Sequence, residues 1–189
     1  AHDYAPGDTF DSITEHDVPL LRDLIDACSR QGWTSFDLLG HSKGGVVAME
    51  YVKAFGLSRD QADKVHNVVT LDAPVNGSEL AWLVVHGPAS DVPSPLWSLS
   101  LDVTAGVAEL ARMYAQRETV VRANEEAALL MQQQGRCLFT ITNDQDIAIS
   151  RADAIVEGYG HSYDLGIVLT GDMGRRLGHH RTLDVPNDT

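Results

Sequence analysis

A serine between two glycines is the feature of this sequence best suited to chemistry. Gly40, Ser42 and Gly44 fit the pattern Gly-x-Ser-x-Gly. In a nucleophile elbow the serine occupies a sharp, strained turn between a strand and a helix, so the residues two positions away must be small. Such a turn lifts the serine hydroxyl above the sheet and directs the next backbone N–H, that of Lys43, toward a developing oxyanion. Ser42 is therefore a candidate nucleophile and Lys43 a candidate oxyanion donor.

The predicted elements around Ser42 have the order that such a turn requires. Residues 36–39 predict a strand ended by Gly40, and the apolar spacing from Gly44 to Phe55 predicts a helix. Asp17 is expected to cap an earlier helix. Further strands are predicted at Val65 to Leu71, Cys137 to Thr142 and Leu165 to Thr170, and further helices at 18–28, 103–116 and 118–133. Strands that alternate with helices imply an α/β fold with a mostly parallel sheet and helices on both faces.

Composition excludes several classes of protein. The 189 residues are an ordinary length for one domain, so we treat 1–189 as a single unit. Fourteen basic against 27 acidic residues give a net charge of −13, which disfavours nucleic acid and anionic membranes as partners. No apolar run approaches the ~20 residues of a membrane span. We recognise no signal peptide in these residues, which says little about secretion because the sequence begins at Ala1. Cys28 and Cys137 have no metal-ligand spacing, and no metal or organic cofactor is predicted.

Three stretches resemble the α/β-hydrolase superfamily, in particular its bacterial lipase and esterase branch. Residues 37–45 are similar to the elbow of bacterial lipases, including His41 before the serine and a second glycine after it. Residues 70–78 are similar to the strand end "T-x-x-x-P-x-x-G-S", where the family turns into a cap insertion. Residues 146–150 resemble the "D-x-x-V-P" segment that carries the acid. The resemblance covers most of residues 33–186.

The resemblance implies an acid that fixes the catalytic histidine. A serine nucleophile needs a general base, and the base needs an acid that sets its tautomer. Asp146 is favoured because Ile149 and Ser150 follow it at the family spacing. Asp144 and Asp72 also follow predicted strand ends and stay as alternatives, although aspartate is common in such turns for its turn chemistry alone.

The resemblance also places the base after the acid in the chain. His179 is favoured over His180 because Gly178 precedes it and Leu183 follows at the spacing of the family's "G-H-x-x-x-L-x-x-P". Consecutive side chains in an extended segment point to opposite sides, so one of the two histidines can reach Ser42. His161 precedes the last predicted strand and is expected at the other end of the sheet. The two adjacent histidines lack a third ligand, so a metal is not expected there.

Residues 78–134 are expected to form a helical cap or lid over an acyl pocket. The second oxyanion donor is not found, because the family's "H-G" loop has no counterpart before Ser42. Either N-terminal strands of the sheet belong to a further segment of the same protein, which we prefer, or the chain is a minimal variant with another donor.

Taken together, the resemblance implies a serine carboxylic-ester hydrolase whose substrates are neutral, hydrophobic esters or lipids. Acyl transfer and thioester hydrolysis on the same triad are the enzymatic alternatives. A non-catalytic binding protein of the same fold is the alternative from a different class, and it usually lacks a triad member. The resemblance slightly favours secretion.

The choice of acid is tested by paired substitutions. Asp146→Asn should lower kcat by about 10⁴, because the histidine then takes the wrong tautomer. Asp144→Asn is the matched control and should have a mild effect. Steady-state ester hydrolysis by the two variants decides the matter, and the reverse result would move the acid to Asp144.

Overall fold

The computed structural model describes residues 11–57, 64–87, 104–142, 149–156 and 161–164. Strands and helices alternate along them in the order predicted from the sequence. The strands are β1 (Phe36–His41), β2 (Val65–Leu71), β3 (Cys137–Thr142) and β4 (His161–Asp164). The helices are α1 (Val18–Arg30), α2 (Lys43–Tyr51), α3 (Glu79–His86), α4 (Ala105–Ala115), α5 (Arg117–Gln133) and α6 (Arg151–Ala154). Single π-helical turns, Ile13–Asp17 and Val52–Gly56, precede α1 and follow α2.

The four strands form one parallel sheet in the order β1-β2-β3-β4. Each strand is followed in space by the next strand of the chain, always on the same side. Since connections between parallel strands are right-handed, the helices between these strands lie on the same face of the sheet. The parallel sheet with packed helices confirms the predicted α/β class. In the described sheet β1 is an edge strand, and the expectation of further strands before it stays a prediction.

One face of the sheet carries the hydrophobic core. Val68 and Leu138, which are neighbours in register, pack with Val46 of α2 and Met131 of α5 in one buried cluster. These residues are at most 3 % exposed, and burial of each such side chain contributes about 1.5–3 kcal/mol. On the opposite face Leu39 is 70 % exposed. The core therefore fixes which side of the sheet α2 and α5 occupy.

The fourth strand begins four residues earlier than the sequence predicted. β2 and β3 have the bounds predicted from their β-branched and apolar residues. β4 begins at His161, whereas an apolar run had predicted a strand at Leu165–Thr170, which lies outside the described residues. The segment His161–Asp164 is polar, so its pairing with β3 and not its own composition makes it a strand. His161 opens β4 in register with Phe139, three strands away from β1, so it is level with the middle of the sheet and not with its amino end.

The prediction that Asp17 caps α1 is wrong. An extra helical turn precedes α1, so Asp17 has helical dihedral angles (φ −71°, ψ −39°) and its side chain makes no capping hydrogen bond. Ser12 caps that turn instead, and its hydroxyl accepts from the Glu15 backbone N–H at 3.1 Å. A cap must have non-helical backbone angles, and Asp17 lacks them. Its carboxylate binds Lys43 instead.

Glu109 of α4 holds the turn before α1 in place. Its buried carboxylate accepts hydrogen bonds from the hydroxyls of Ser12 (2.6 Å) and Thr14 (2.8 Å) and from the backbone N–H of Ile13 (2.5 Å). Burial alone would raise the pKa of Glu109, but the hydrogen bonds from Ser12, Thr14 and Ile13 together outweigh it and lower the pKa below its ordinary value of 4.5.

Glu109→Gln should therefore destabilise the fold in a pH-dependent way. We expect the free energy of unfolding at pH 7 to fall by about 1–3 kcal/mol, because amide hydrogens replace an acceptor of several hydrogen bonds. Since the folded-state pKa is lowered, the ionised form stabilises the fold above pH 4.5, and this contribution is lost as the pH falls through the folded-state pKa.

Urea unfolding of both proteins between pH 7 and pH 3 measures the difference. Glu126→Gln, at an exposed position of α5, is the control and should change little at any pH. A Glu109→Gln penalty that stays constant down to pH 3 would contradict the predicted linkage.

Candidate active site

The carboxyl ends of the parallel strands bring the first candidate residues together. His41 of β1 is in register with Leu71 of β2, so Ser42 and Asp72 follow their strands at the same edge. The Ser42 backbone N–H donates to the Leu71 carbonyl at 2.9 Å, and the Asp72 N–H donates to the Ile141 carbonyl at 2.8 Å. Open α/β sheets bind ligands at this edge.

Ser42 has the backbone of a strained turn. Its dihedral angles are φ 51° and ψ −128°, far from the regions that residues with a Cβ prefer. Such a conformation costs about 1–3 kcal/mol and persists where the surrounding structure imposes it, often at functional sites. The Gly45 N–H donates to the Ser42 carbonyl at 3.0 Å, which closes the turn into α2. Ser42 is half-buried and directly precedes the N-terminus of α2.

Two glycines without a Cβ make this turn possible. A Cβ on Gly40 would collide with the backbone of Gly44, and a Cβ on Gly45 would collide with the side chain of Ala73. A Cβ on Gly44, by contrast, would meet nothing within 4 Å. The expectation that Gly44 must be small is therefore wrong on spatial grounds. Successive residues of an α-helix are 100° apart around its axis. Gly45 therefore faces the end of β2, and Gly44 does not.

Lys43 is the first residue of α2. Its backbone N–H belongs to the helix N-terminus, where the helix dipole favours negative charge. Its side chain turns back toward the segment before α1, where the ammonium lies 2.6 Å from a carboxylate oxygen of Asp17 and donates to the Asp11 carbonyl at 2.7 Å. The ammonium is therefore neutralised inside the protein.

Of the three candidate acids, the structure describes Asp72 alone. Asp72 has a left-handed backbone (φ 40°), so the chain also turns sharply at the end of β2. Asp144 and Asp146 lie outside the described residues, as do His179 and His180. The structure thus brings Ser42, Lys43 and Asp72 to one edge.

A buried amide network, not predicted from the sequence, organises the loop after β2. Asn76 donates through its side chain to the carbonyls of Ala152 (3.0 Å) and Ile155 (2.7 Å). Asn124 of α5 donates to the Asn76 side-chain oxygen (2.9 Å) and to the Val75 carbonyl (2.8 Å). The network joins the loop to α5 and α6. The one signal of this network in the sequence was Asn124, a polar residue among the alanines of α5.

The same loop explains the glycine and serine of the stretch 70–78. Gly77 has φ 87°, and a Cβ there would collide with the backbone of Met113 and Tyr114 in α4. Ser78 then caps α3, its hydroxyl accepting from the Ala81 N–H at 3.1 Å. The loop therefore passes directly against α4 before α3 begins.

The described residues offer neither a metal site nor a membrane-spanning helix. There, no three His, Cys, Asp or Glu side chains come together in a way that could hold a metal ion. No helix of that part of the chain has the length and apolar character needed to cross a bilayer.

Comparisons with known proteins agree with this geometry. Residues 14–84 match the family model described as a PGAP1-like alpha/beta domain. The mature lipase BlEst2 of Bacillus licheniformis is similar in structure, with a TM-score of 0.59 and 15 % identity over 82 % of this chain and 66 % of that one. A monoacylglycerol lipase of Paleococcus ferrophilus matches with a TM-score of 0.47 and 14 % identity over 82 % and 65 %. No curated protein matches in sequence.

The chain has the α/β-hydrolase fold. The family model covers the segment from the turn before α1 to α3, which includes the strained serine. The chain spans 66 % and 65 % of the lengths of the two lipases.

The two adjacent glycines of α2 give a matched pair of substitutions. Gly45→Ala should lower the free energy of unfolding by about 1–3 kcal/mol, because the added methyl group overpacks the contact with Ala73. Gly44→Ala should be neutral or stabilising by up to about 1 kcal/mol, since alanine is the better helix former. Thermal unfolding of the two variants measures the difference, and equal Tm values would contradict the packing at the turn.

Proposed function

We propose that this chain carries the nucleophile of a serine carboxylic-ester hydrolase acting on neutral, hydrophobic esters. One observation carries the proposal: Ser42 has a strained backbone at a strand–helix turn on the carboxyl edge of a parallel sheet. A serine with no chemical role could be replaced there by glycine without strain. The likeness to solved lipases supports a hydrolase fold, and the triad is our own assignment.

In the proposed mechanism Ser42 attacks the ester carbonyl carbon. His179 accepts the serine proton and returns it to the alcohol leaving group, while Asp146 orients the imidazole. The backbone N–H of Lys43, at the N-terminus of α2, stabilises the oxyanion of the tetrahedral intermediate. Water then hydrolyses the acyl-enzyme with the same histidine as base. His180 and Asp144 are the alternatives for base and acid.

The substrate class follows from charge and from α3. The cation next to the nucleophile, Lys43, is paired with Asp17, so it offers little attraction to an anionic substrate. α3 has an apolar run from Ala81 to Val85, of which only Ala81 is buried. α3 follows β2 through a short loop, and a half-exposed apolar surface of this kind suits an acyl chain.

The proposed cap is smaller than the stretch 78–134. α5 packs into the core through Ala127, Ala128 and Met131, so it belongs to the body of the domain. α3 and α4 pack on each other, and the Trp82 ring of α3 lies against the Tyr114 ring of α4 (ring centroids 6.3 Å apart). We therefore assign the cap to α3 and α4.

A fluorophosphonate probe tests the nucleophile directly. The full-length protein should take up one label, and Ser42→Ala should abolish it, because the probe reacts with an activated serine hydroxyl. Ser78→Ala is a control at another serine and should keep the label. Mass spectrometry locates the labelled residue. A label that survives Ser42→Ala would exclude the proposal.

A screen with p-nitrophenyl esters of increasing chain length then tests the substrate class. Hydrolysis by the wild type but not by Ser42→Ala supports an ester hydrolase. Labelling without hydrolysis, followed by turnover with an added alcohol or a thioester, would favour the acyltransferase or thioesterase alternatives. Neither labelling nor turnover would favour the non-catalytic binding protein.

A further inference from the structure

Asp17 is a buried carboxylate that the proposed mechanism does not use. It ends the turn before α1, and its side chain is 1 % exposed. One oxygen lies 2.6 Å from the Lys43 ammonium, and the other lies 3.0 Å from Nδ1 of His16. Its ion pair is therefore formed with the residue directly after the proposed nucleophile.

The Lys43 side chain is enclosed by two parts of the fold, the segment before α1 and α4. The carboxylate of Asp17 and the carbonyl of Asp11 bind the ammonium from the segment before α1. Gly106 of α4 borders the same space, since a Cβ there would approach Lys43 Cε at 3.5 Å and the Asp11 carbonyl oxygen at 2.8 Å. The enclosure fixes the Lys43 side chain in one direction from its Cα.

Stability alone is a weak explanation for such a pair. Removing two charges from water offsets much of their attraction, and apolar replacements of buried ion pairs are often neutral or stabilising. A pair that contributes little net stability can still fix a geometry. Lys43 contributes its backbone N–H to the proposed oxyanion hole, and a misplacement of about 1 Å at such a site can cost about 10²-fold in rate.

We propose that Asp17 is a positioning residue: its ion pair with Lys43 holds the Ser42–Lys43 peptide in the orientation that stabilises the oxyanion. This inference rests on the proposed function. Asp17 touches neither substrate nor nucleophile and acts through Lys43. The segment before α1 thereby becomes part of the active-site support.

Kinetics of Asp17→Asn in the full-length protein test the inference. We expect kcat for a p-nitrophenyl ester to fall about tenfold or more with KM changed less than about twofold, because the lost interaction acts in the transition state. Lys43→Met should give the same fall, and the double variant should be no slower than either single one.

Asp26→Asn is the matched control. It also removes an ion pair of α1, that with Lys64 at 2.7 Å, but at the amino end of the sheet away from Ser42. Its kcat should equal that of the wild type. Equal kcat values for Asp17→Asn and Asp26→Asn, or additive effects in the double variant, would overturn the inference.

Hydrogen exchange of the backbone N–H groups of residues 43–45 tests, without a substrate, whether the start of α2 keeps its geometry. Asp17→Asn should accelerate this exchange and Asp26→Asn should not. If Asp17→Asn fails to fold, the apolar pair Asp17→Leu with Lys43→Met replaces it in both measurements. Unchanged hydrogen exchange in Asp17→Asn would overturn the positioning role. Absence of Ser42 labelling in the wild type would overturn the proposed function, and the catalytic importance of Asp17 would fall together with that function.

Discussion

The turn from β1 into α2 is the constraint on which the rest of the described site depends. Ser42 takes a backbone conformation that its own Cβ disfavours, and it can do so because α2 packs closely on the ends of β1 and β2. Gly40 and Gly45 allow that approach, since a Cβ on either would overlap its neighbours. The hydrogen bond from Ser42 to the Leu71 carbonyl ties the turn to the sheet. Local strain is thus sustained by tertiary packing.

Polar side chains, in addition to apolar packing, position the elements around this turn. Glu109 ties α4 to the segment before α1, and Asp17 ties that segment to the start of α2. Asn76 and Asn124 tie the loop after β2 to α5 and α6. Hydrogen bonds to buried groups are directional, so they fix relative orientation in a way that apolar packing alone does not.

The fold is shown, whereas the serine chemistry and the substrate are proposals. The same fold supports many activities, so function has to be argued from the site. Here the neutralised Lys43 and the half-exposed apolar surface of α3 are the observations that bear on substrate charge and polarity. Under the proposed function, both favour an uncharged ester with a hydrophobic acyl group.

The sequence by itself determined the elements that can be predicted from residues close together in the chain. β2 and β3 were predictable to the residue because they are rich in apolar and β-branched residues. The elbow was predictable because Gly40 allows the close approach of α2 that the turn requires. Tertiary structure decided what depends on distant partners. β4 begins in a polar segment because β3 pairs with it, and Asp17 binds Lys43 because an added turn removes it from the capping position. Gly45, not Gly44, is the crowded glycine because β2 lies on its side of the helix. Asp146 and His179 stay predictions, since a motif gives the order of triad residues in the chain but only folding sets the distances between them.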